Sequence, residues 1–240
     1  MPKDKFDFKT FCIHQPYKDV MKVSTDSVLL GSFVNATNTD NALDIGCGTG
    51  LLALMLAHKN PKLDITAIDI NENACKCAVY NVQHSDFASK IIVKHTSLQD
   101  FVKTNSHPFD VIVCNPPYFS KYLKSPDIFK NTYRHQNELT YEVLIDGVKI
   151  LMKDTGKFYV IVPYYEYKKF IGLLHHRDLH IHSQLSVFSN TEKQIPYIFI
   201  LEIKKNPATS VNEQHLFIHN NKNEYTSEYI DFTREFYLYF

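Results

Sequence analysis

From about residue 41 to about residue 175, short continuous apolar runs alternate with stretches of helical periodicity. Asn41–Ile45 reads as a short buried strand, and Leu51–Lys59 as a helix ended near Asn60-Pro61. A strand at about 63–69, a helix from about 72 to 84, a strand at about 91–95 and a strand over Phe109–Cys114 follow. Beyond a proline-broken loop the spacing predicts a helix over 138–152, a strand over 157–162 and a helix over 164–175. Strands separated by helices imply a mostly parallel sheet with right-handed crossovers, helices on both faces, and ligands at the carboxyl ends of the strands. Residues 181–188 and 197–203 look like two strands with no helix between them. They predict an antiparallel hairpin closing the sheet edge, followed by polar residues and a short C-terminal helix. The whole of 1–240 is therefore expected to be one α/β domain: an N-terminal segment 1–40, a Rossmann-like core 41–203 and a tail 204–240.

Composition narrows the function classes. Hydrophobic residues make up 44% of the 240, enough for a proper core. Lys plus Arg equals Asp plus Glu at 26 each, which argues against a nonspecific nucleic-acid coater and leaves any such surface to local clustering. Five cysteines (12, 47, 75, 77 and 114) include no C-x-x-C pair, which disfavours a disulfide framework and a zinc knuckle and suits a reducing cytoplasm. No apolar run at the N-terminus resembles a signal peptide, and none elsewhere reaches the length of a membrane span, so a soluble cytoplasmic protein is expected. His175, His176, His180 and His182 lack Cys or acidic residues at ligand spacing, so no metal is assigned.

Three of the seven glycines crowd into Asp44-Ile45-Gly46-Cys47-Gly48-Thr49-Gly50, where a strand must turn tightly into a helix. G-x-G-x-G preceded by Asp44, without the further glycine of the dinucleotide fingerprint, favours S-adenosylmethionine over a pyrophosphate cofactor, because an acid suits a cationic amino-acid moiety. Asp69 closes the next strand 19 residues beyond Gly50, where a carboxylate can accept from both ribose hydroxyls. Ser97 and Leu98 follow the third strand, where they either border an adenine ring or form a plain loop.

Asn115-Pro116-Pro117-Tyr118 comes directly after the apolar strand Val111-Ile112-Val113-Cys114, at the same sheet edge. A conjugated amino nitrogen is a poor nucleophile because its lone pair is delocalised. The Asn115 side-chain oxygen and the Pro116 carbonyl can accept its two N–H bonds and turn the lone pair toward a methyl donor, with the prolines stiffening the pair. Tyr118 offers a face for stacking a planar base or amide, a contact of about 1–3 kcal/mol for a base. Taken alone the tetrapeptide is a proline turn; after a nucleotide loop it reads as catalytic.

The glycine loop with Asn115-Pro116-Pro117-Tyr118 resembles the class I amino-group methyltransferases, a superfamily that implies a seven-stranded Rossmann-like sheet. Met21-Lys22-Val23-Ser24-Thr25-Asp26 with Leu29-Leu30-Gly31 is similar to the N-terminal signature of the bacterial valine-tRNA adenine-N6 methyltransferases, as are Leu123-Lys124-Ser125-Pro126-Asp127, Arg134-His135, Leu139 and Leu144. Lys130 and Tyr133 depart from it, standing where Arg and Ala are expected. The resemblance implies S-adenosylmethionine as cofactor, with Val23, Thr25 and Asp26 closing the methionine end of its site. It implies as substrate the adenine just 3′ of the anticodon in valine tRNA. Read from the residues alone, Thr25-Asp26 before an apolar helical run is equally a helix N-cap.

Between Lys121 and Arg134 the cations Lys121, Lys124, Lys130 and Arg134 outnumber one acid, Asp127, and interleave with aromatics. With His135 they form a candidate surface for the phosphates and unpaired bases of an anticodon loop, or an ordinary solvated loop with aromatics folded inward. A monomer acting on tRNA is the expectation. A protein glutamine-N5 methyltransferase uses the same tetrapeptide, but the glycine loop beginning at 44 leaves no room for a separate N-terminal helical domain. A noncatalytic module binding RNA or S-adenosylmethionine is the alternative from another class, opposed by the intact Asp44, Asp69 and Asn115.

Overall fold

The computed structural model describes residues 4–117 and 139–239. Ten strands and seven helices occur among them. In chain order they are β1 (Lys5–Asp7), β2 (Cys12–His14), α1 (Thr25–Phe33), β3 (Asn41–Ile45), α2 (Leu51–Lys59), β4 (Asp64–Asp69), α3 (Glu72–Gln83), β5 (Ile91–His95) and α4 (Leu98–Thr104). Then come β6 (Phe109–Cys114), α5 (Tyr141–Leu151), β7 (Met152–Pro163), α6 (Tyr164–His175), β8 (His180–Asn190), β9 (Ile198–Lys204), β10 (Asn212–His219) and α7 (Ser227–Thr233). β1 and β2 form a small antiparallel sheet; the other eight strands form the main one, in the order β10-β8-β9-β7-β6-β3-β4-β5.

Alternate residues of the central strands feed two apolar layers. Ala42, Val111, Val113, Tyr159 and Ile161 face the layer that includes α1, α2, α3 and α7. Leu43, Ile45, Ile112, Cys114, Phe158 and Val160 face the layer that includes α4, α5 and α6. Burial on both faces is why these strands read as unbroken apolar runs. None of the described helices is long and apolar enough to cross a membrane.

The sheet corrects the expectation of seven strands with an antiparallel edge. Among the described residues it has eight, and the one antiparallel strand among them, β9, lies inside, between β7 and β8. Ile198, Phe199, Ile200 and Leu201 are all buried, so β9 is apolar on both faces and takes an interior place, whereas the first half of β8 remains partly exposed. The edge belongs to β10, parallel to β8, whose first four residues are exposed.

Candidate active site

Register brings the sequence-predicted residues to one edge of the sheet. In β3, Ile45 pairs with Ile68 of β4 on one side and with Cys114 of β6 on the other. Gly46, Asp69 and Asn115, each one residue further along, therefore stand level at the carboxyl ends of three adjacent strands, with Gly46 in the middle and a reach of about 10 Å from Asp69 to Asn115.

The loop after β3 turns through three left-handed glycines, Gly46, Gly48 and Gly50, with φ of 71°, 54° and 82°. A Cβ at Gly46 or Gly48 would meet no heavy atom within 4 Å, so the cradle is open on that side. One at Gly50 would lie 3.2 Å from Ala78 Cβ of α3, so this glycine lets α2 and α3 approach. The Gly46 and Cys47 amides donate to Ile68 O at 2.9 and 3.0 Å, pinning the loop across β4.

Asp44 sits beneath the loop. Gly50 offers α2 no side-chain cap. Instead the Asp44 carboxylate accepts from Ala53 N at 3.2 Å in the first turn of α2, where a negative charge is favoured. Its Oδ1 is buried and has no hydrogen-bond partner among the described residues. Burial above all, with Asp69 adding to it, pushes the Asp44 carboxyl up to about 7, against the pull of the Ala53 amide. Asp69 accepts from Gly48 N and Asn71 N, both at 2.8 Å, through different oxygens, so it ties the glycine loop to the start of α3 while each oxygen keeps acceptor capacity. Burial raises its carboxyl as well. An orphaned buried carboxylate oxygen, an open glycine cradle and a second acid one strand away fit the amino-acid and ribose ends of S-adenosylmethionine.

Asn115 and Pro116 are buried and Pro117 is exposed. The Asn115 amide nitrogen donates to Ser27 Oγ of α1 at 2.9 Å, so the side chain is anchored from the neighbouring layer. Ser24 caps α1, its Oγ accepting from Ser27 N at 3.2 Å. The cap read from the sequence as Thr25-Asp26 is thus one residue earlier, because Ser24 keeps the extended backbone that a cap requires. Thr25 lines one cavity with Tyr229 and Tyr237, and Asp26 Oδ1 accepts from Tyr197 Oη at 3.1 Å. The Val23 amide donates to Gln15 Oε1 at 2.9 Å. Val23, Ser24 and Tyr225 line the same cavity, of about 350 Å³.

Ser97 caps α4: its Oγ accepts from Asp100 N at 3.1 Å and donates to the Asp100 carboxylate at 2.8 Å. Leu98 is buried against Gly147 of α5. Both follow β5, next to the strand that ends in Asp69, but the Ser97 hydroxyl is engaged within its own helix. Tyr118, Lys121, Lys124, Lys130, Arg134 and His135 lie outside the described residues. Sequence reasoning missed Ser27 and Ser24. The cap spacing of Ser24 to Ser27 is a local signal, whereas the contact of Ser27 with Asn115 spans 88 residues and has none. Among the described residues no group of three or more His, Cys, Asp or Glu could hold a metal.

A family model described as methyltransferase small domain matches residues 20–161. The tRNA1(Val) (adenine(37)-N6)-methyltransferase of Cytophaga hutchinsonii is 35% identical over 240 residues, covering 99% of both chains. That of Pseudoalteromonas translucida is 36% identical, covering 97% of this chain and 98% of its own. That of Bacteroides fragilis is 37% identical, covering 99% of both. Among solved structures, a predicted O-methyltransferase of Agrobacterium tumefaciens superposes with a TM-score of 0.66 at 17% identity, over 87% of this chain and 95% of its own. A Listeria monocytogenes protein assigned to the class I S-adenosylmethionine-dependent methyltransferases gives 0.58 at 18% identity, over 83% and 68%. These two share the fold.

Proposed function

This chain belongs to the methyltransferase small domain family and to its tRNA1(Val) (adenine(37)-N6)-methyltransferases, and from that premise we propose that it methylates N6 of adenine 37 in valine tRNA. The observation that carries the chemistry is the level placement of the glycine cradle, Asp69 and Asn115-Pro116 on three adjacent strand ends. When bound, S-adenosylmethionine supplies an electrophilic methyl group on a sulfonium. The residues that would hold it are Asp44 and Gly46, Gly48 and Gly50 toward the amino acid, with Val23, Thr25 and Asp26 at that end, Asp69 at the ribose, and Ser97 and Leu98 near the base.

The chain's own task is to orient the attacking nitrogen. Asn115 Oδ1 and the Pro116 carbonyl accept the two N6 hydrogens, holding the lone pair out of the plane of the ring and toward the methyl. The exocyclic amine loses a proton as the new N–C bond forms, and this needs no strong base, because the alkylated amine is acidic. Pro116 and Pro117 stiffen the acceptor pair, and Tyr118 stacks on the adenine. Lys121, Lys124, Lys130, Arg134 and His135 meet the anticodon loop, whose unpaired adenine is cheap to extrude. The enzyme works as a monomer in the cytoplasm, with its tRNA.

Transfer of labelled methyl to valine tRNA lacking the modification, with the product nucleotide mapped, is the test. Asn115→Ala is expected to lower transfer at least 100-fold while the variant still binds cofactor. Methylation of a glutamine in a release factor, with this tRNA inert, overturns the reading.

A further inference from the structure

An amide side chain is ambidentate: Asn115 can offer the incoming amine either its acceptor oxygen or its donor nitrogen, and only the oxygen can receive an N–H bond. The two faces are nearly identical in shape, so packing alone does not choose between them. Something must hold the nitrogen. In the structure Nδ2 donates to Ser27 Oγ at 2.9 Å, and both residues are buried, 9% and 7% exposed. Ser27 cannot drift. It lies in the first turn of α1 beside Val28, Leu29 and Leu30, which are completely buried. Its backbone N–H donates to the capping Ser24 Oγ at 3.2 Å, and the two hydroxyl oxygens stand 3.1 Å apart.

We infer that Ser27 is a positioning residue for methyl transfer: its hydroxyl fixes the flip of the Asn115 amide and presents Oδ1 to the amino nitrogen of the substrate. Ser24 Oγ accepts from the Ser27 amide and stands 3.1 Å from Ser27 Oγ, a pair in which either hydroxyl can donate; with the Ser27 hydrogen turned toward Ser24, the lone pairs of Ser27 Oγ face Asn115 Nδ2. An amide flip would require the Ser27 hydroxyl to turn its hydrogen from Ser24 toward the Asn115 carbonyl oxygen, and would leave the amide donor facing the substrate's donor amine. The inference rests on the role proposed for Asn115, and it extends the reaction's machinery into α1.

The experiment compares Ser27→Ala in two backgrounds, with tRNA methylation measured at saturating cofactor. In the wild-type background kcat is expected to fall about tenfold, equivalent to about 1.4 kcal/mol. The KM for tRNA, the affinity for S-adenosylhomocysteine and the melting temperature should stay close to their starting values. In the Asn115→Asp background the same substitution is expected to change kcat by less than twofold, because a carboxylate is an acceptor whichever way it turns. If Asn115→Asp has no measurable turnover, Ser27→Thr decides: regained kcat supports the relay and a loss like that of Ser27→Ala overturns it. A Ser27→Ala enzyme within twofold of wild type, or equal losses in both backgrounds, also overturns it. The role of Asn115 fails separately, if Asn115→Ala remains active.

Discussion

Replacing Asp44 by Asn tests the electrostatics of the glycine loop in the cofactor-free protein. The carboxyl is completely buried, with one oxygen on Ala53 N and the other unpartnered among the described residues. Its displacement from 3.8 to about 7 corresponds to about 4 kcal/mol. In the unfolded chain the group ionises near its ordinary value, and in the folded chain only near pH 7. Between those values the unfolded state binds fewer protons. Wild-type stability is therefore fully present below the unfolded value, falls by about 1.4 kcal/mol per pH unit as the pH rises, and levels off above the folded value. Asn keeps an acceptor for Ala53 but cannot ionise. Variant minus wild-type unfolding free energy should climb by about 4 kcal/mol from pH 4 to pH 7 and then run flat to pH 9. A buried amide left unpaired lowers that whole curve by about 1–3 kcal/mol without changing its shape. Urea denaturation followed by far-ultraviolet circular dichroism suits a chain with no Trp. A difference that does not change between pH 5 and pH 8, or that shrinks as the pH rises, refutes the assignment of the buried charge.

Cofactor binding should move the opposite way: calorimetry should find S-adenosylhomocysteine bound at least tenfold more weakly by Asp44→Asn, and bound more tightly by wild type as the pH rises from 6 to 8. Asp69→Ala removes the shared acceptor of Gly48 N and Asn71 N, so both cofactor affinity and melting temperature should fall, the affinity by at least tenfold. Gly50→Ala puts a Cβ on a φ of 82° and 3.2 Å from Ala78 Cβ, which should cost about 2 kcal/mol or more in urea melts. Burial pushes Cys12 and Cys75 up to about 11 and Cys47 and Cys114 well above the usual thiol range, so Ellman's reagent at pH 8 should titrate these four thiols slowly until the protein is unfolded.

Much of this was legible in the chain because the central strands are buried on both faces and so write themselves as apolar runs. Asn41–Ile45, Phe109–Cys114 and the glycine turn between β3 and α2 could hardly be read otherwise. β1 and β2, three residues each, bury too little to leave a pattern, and β10 begins with four exposed polar or charged residues that look like loop. The interior place of β9 did have a signal that an edge reading overlooks: Ile198 to Leu201 is apolar at every position, whereas His180 to Gln184 of β8 is mixed. Within the site, Asp44, Asp69 and Asn115 lie at or just past the carboxyl ends of strands and declare themselves by position. Ser27 does not, since its meaning depends on a helix docking across the sheet. The roles of the residues from Tyr118 to His135 rest on sequence alone.

The seating of α1 has a consequence for biosynthesis. Tyr229 and Phe236 belong to the same apolar layer as α1, and Phe8 bridges to Tyr237 across most of the chain. Asn115 is thus braced by a helix whose own support includes residues translated more than a hundred codons after it. A nascent chain still threaded through the ribosomal tunnel at residue 229 has its glycine loop and its tetrapeptide but not yet the full packing beneath Ser24 and Ser27. Competence for transfer should arrive late, as the last turns emerge.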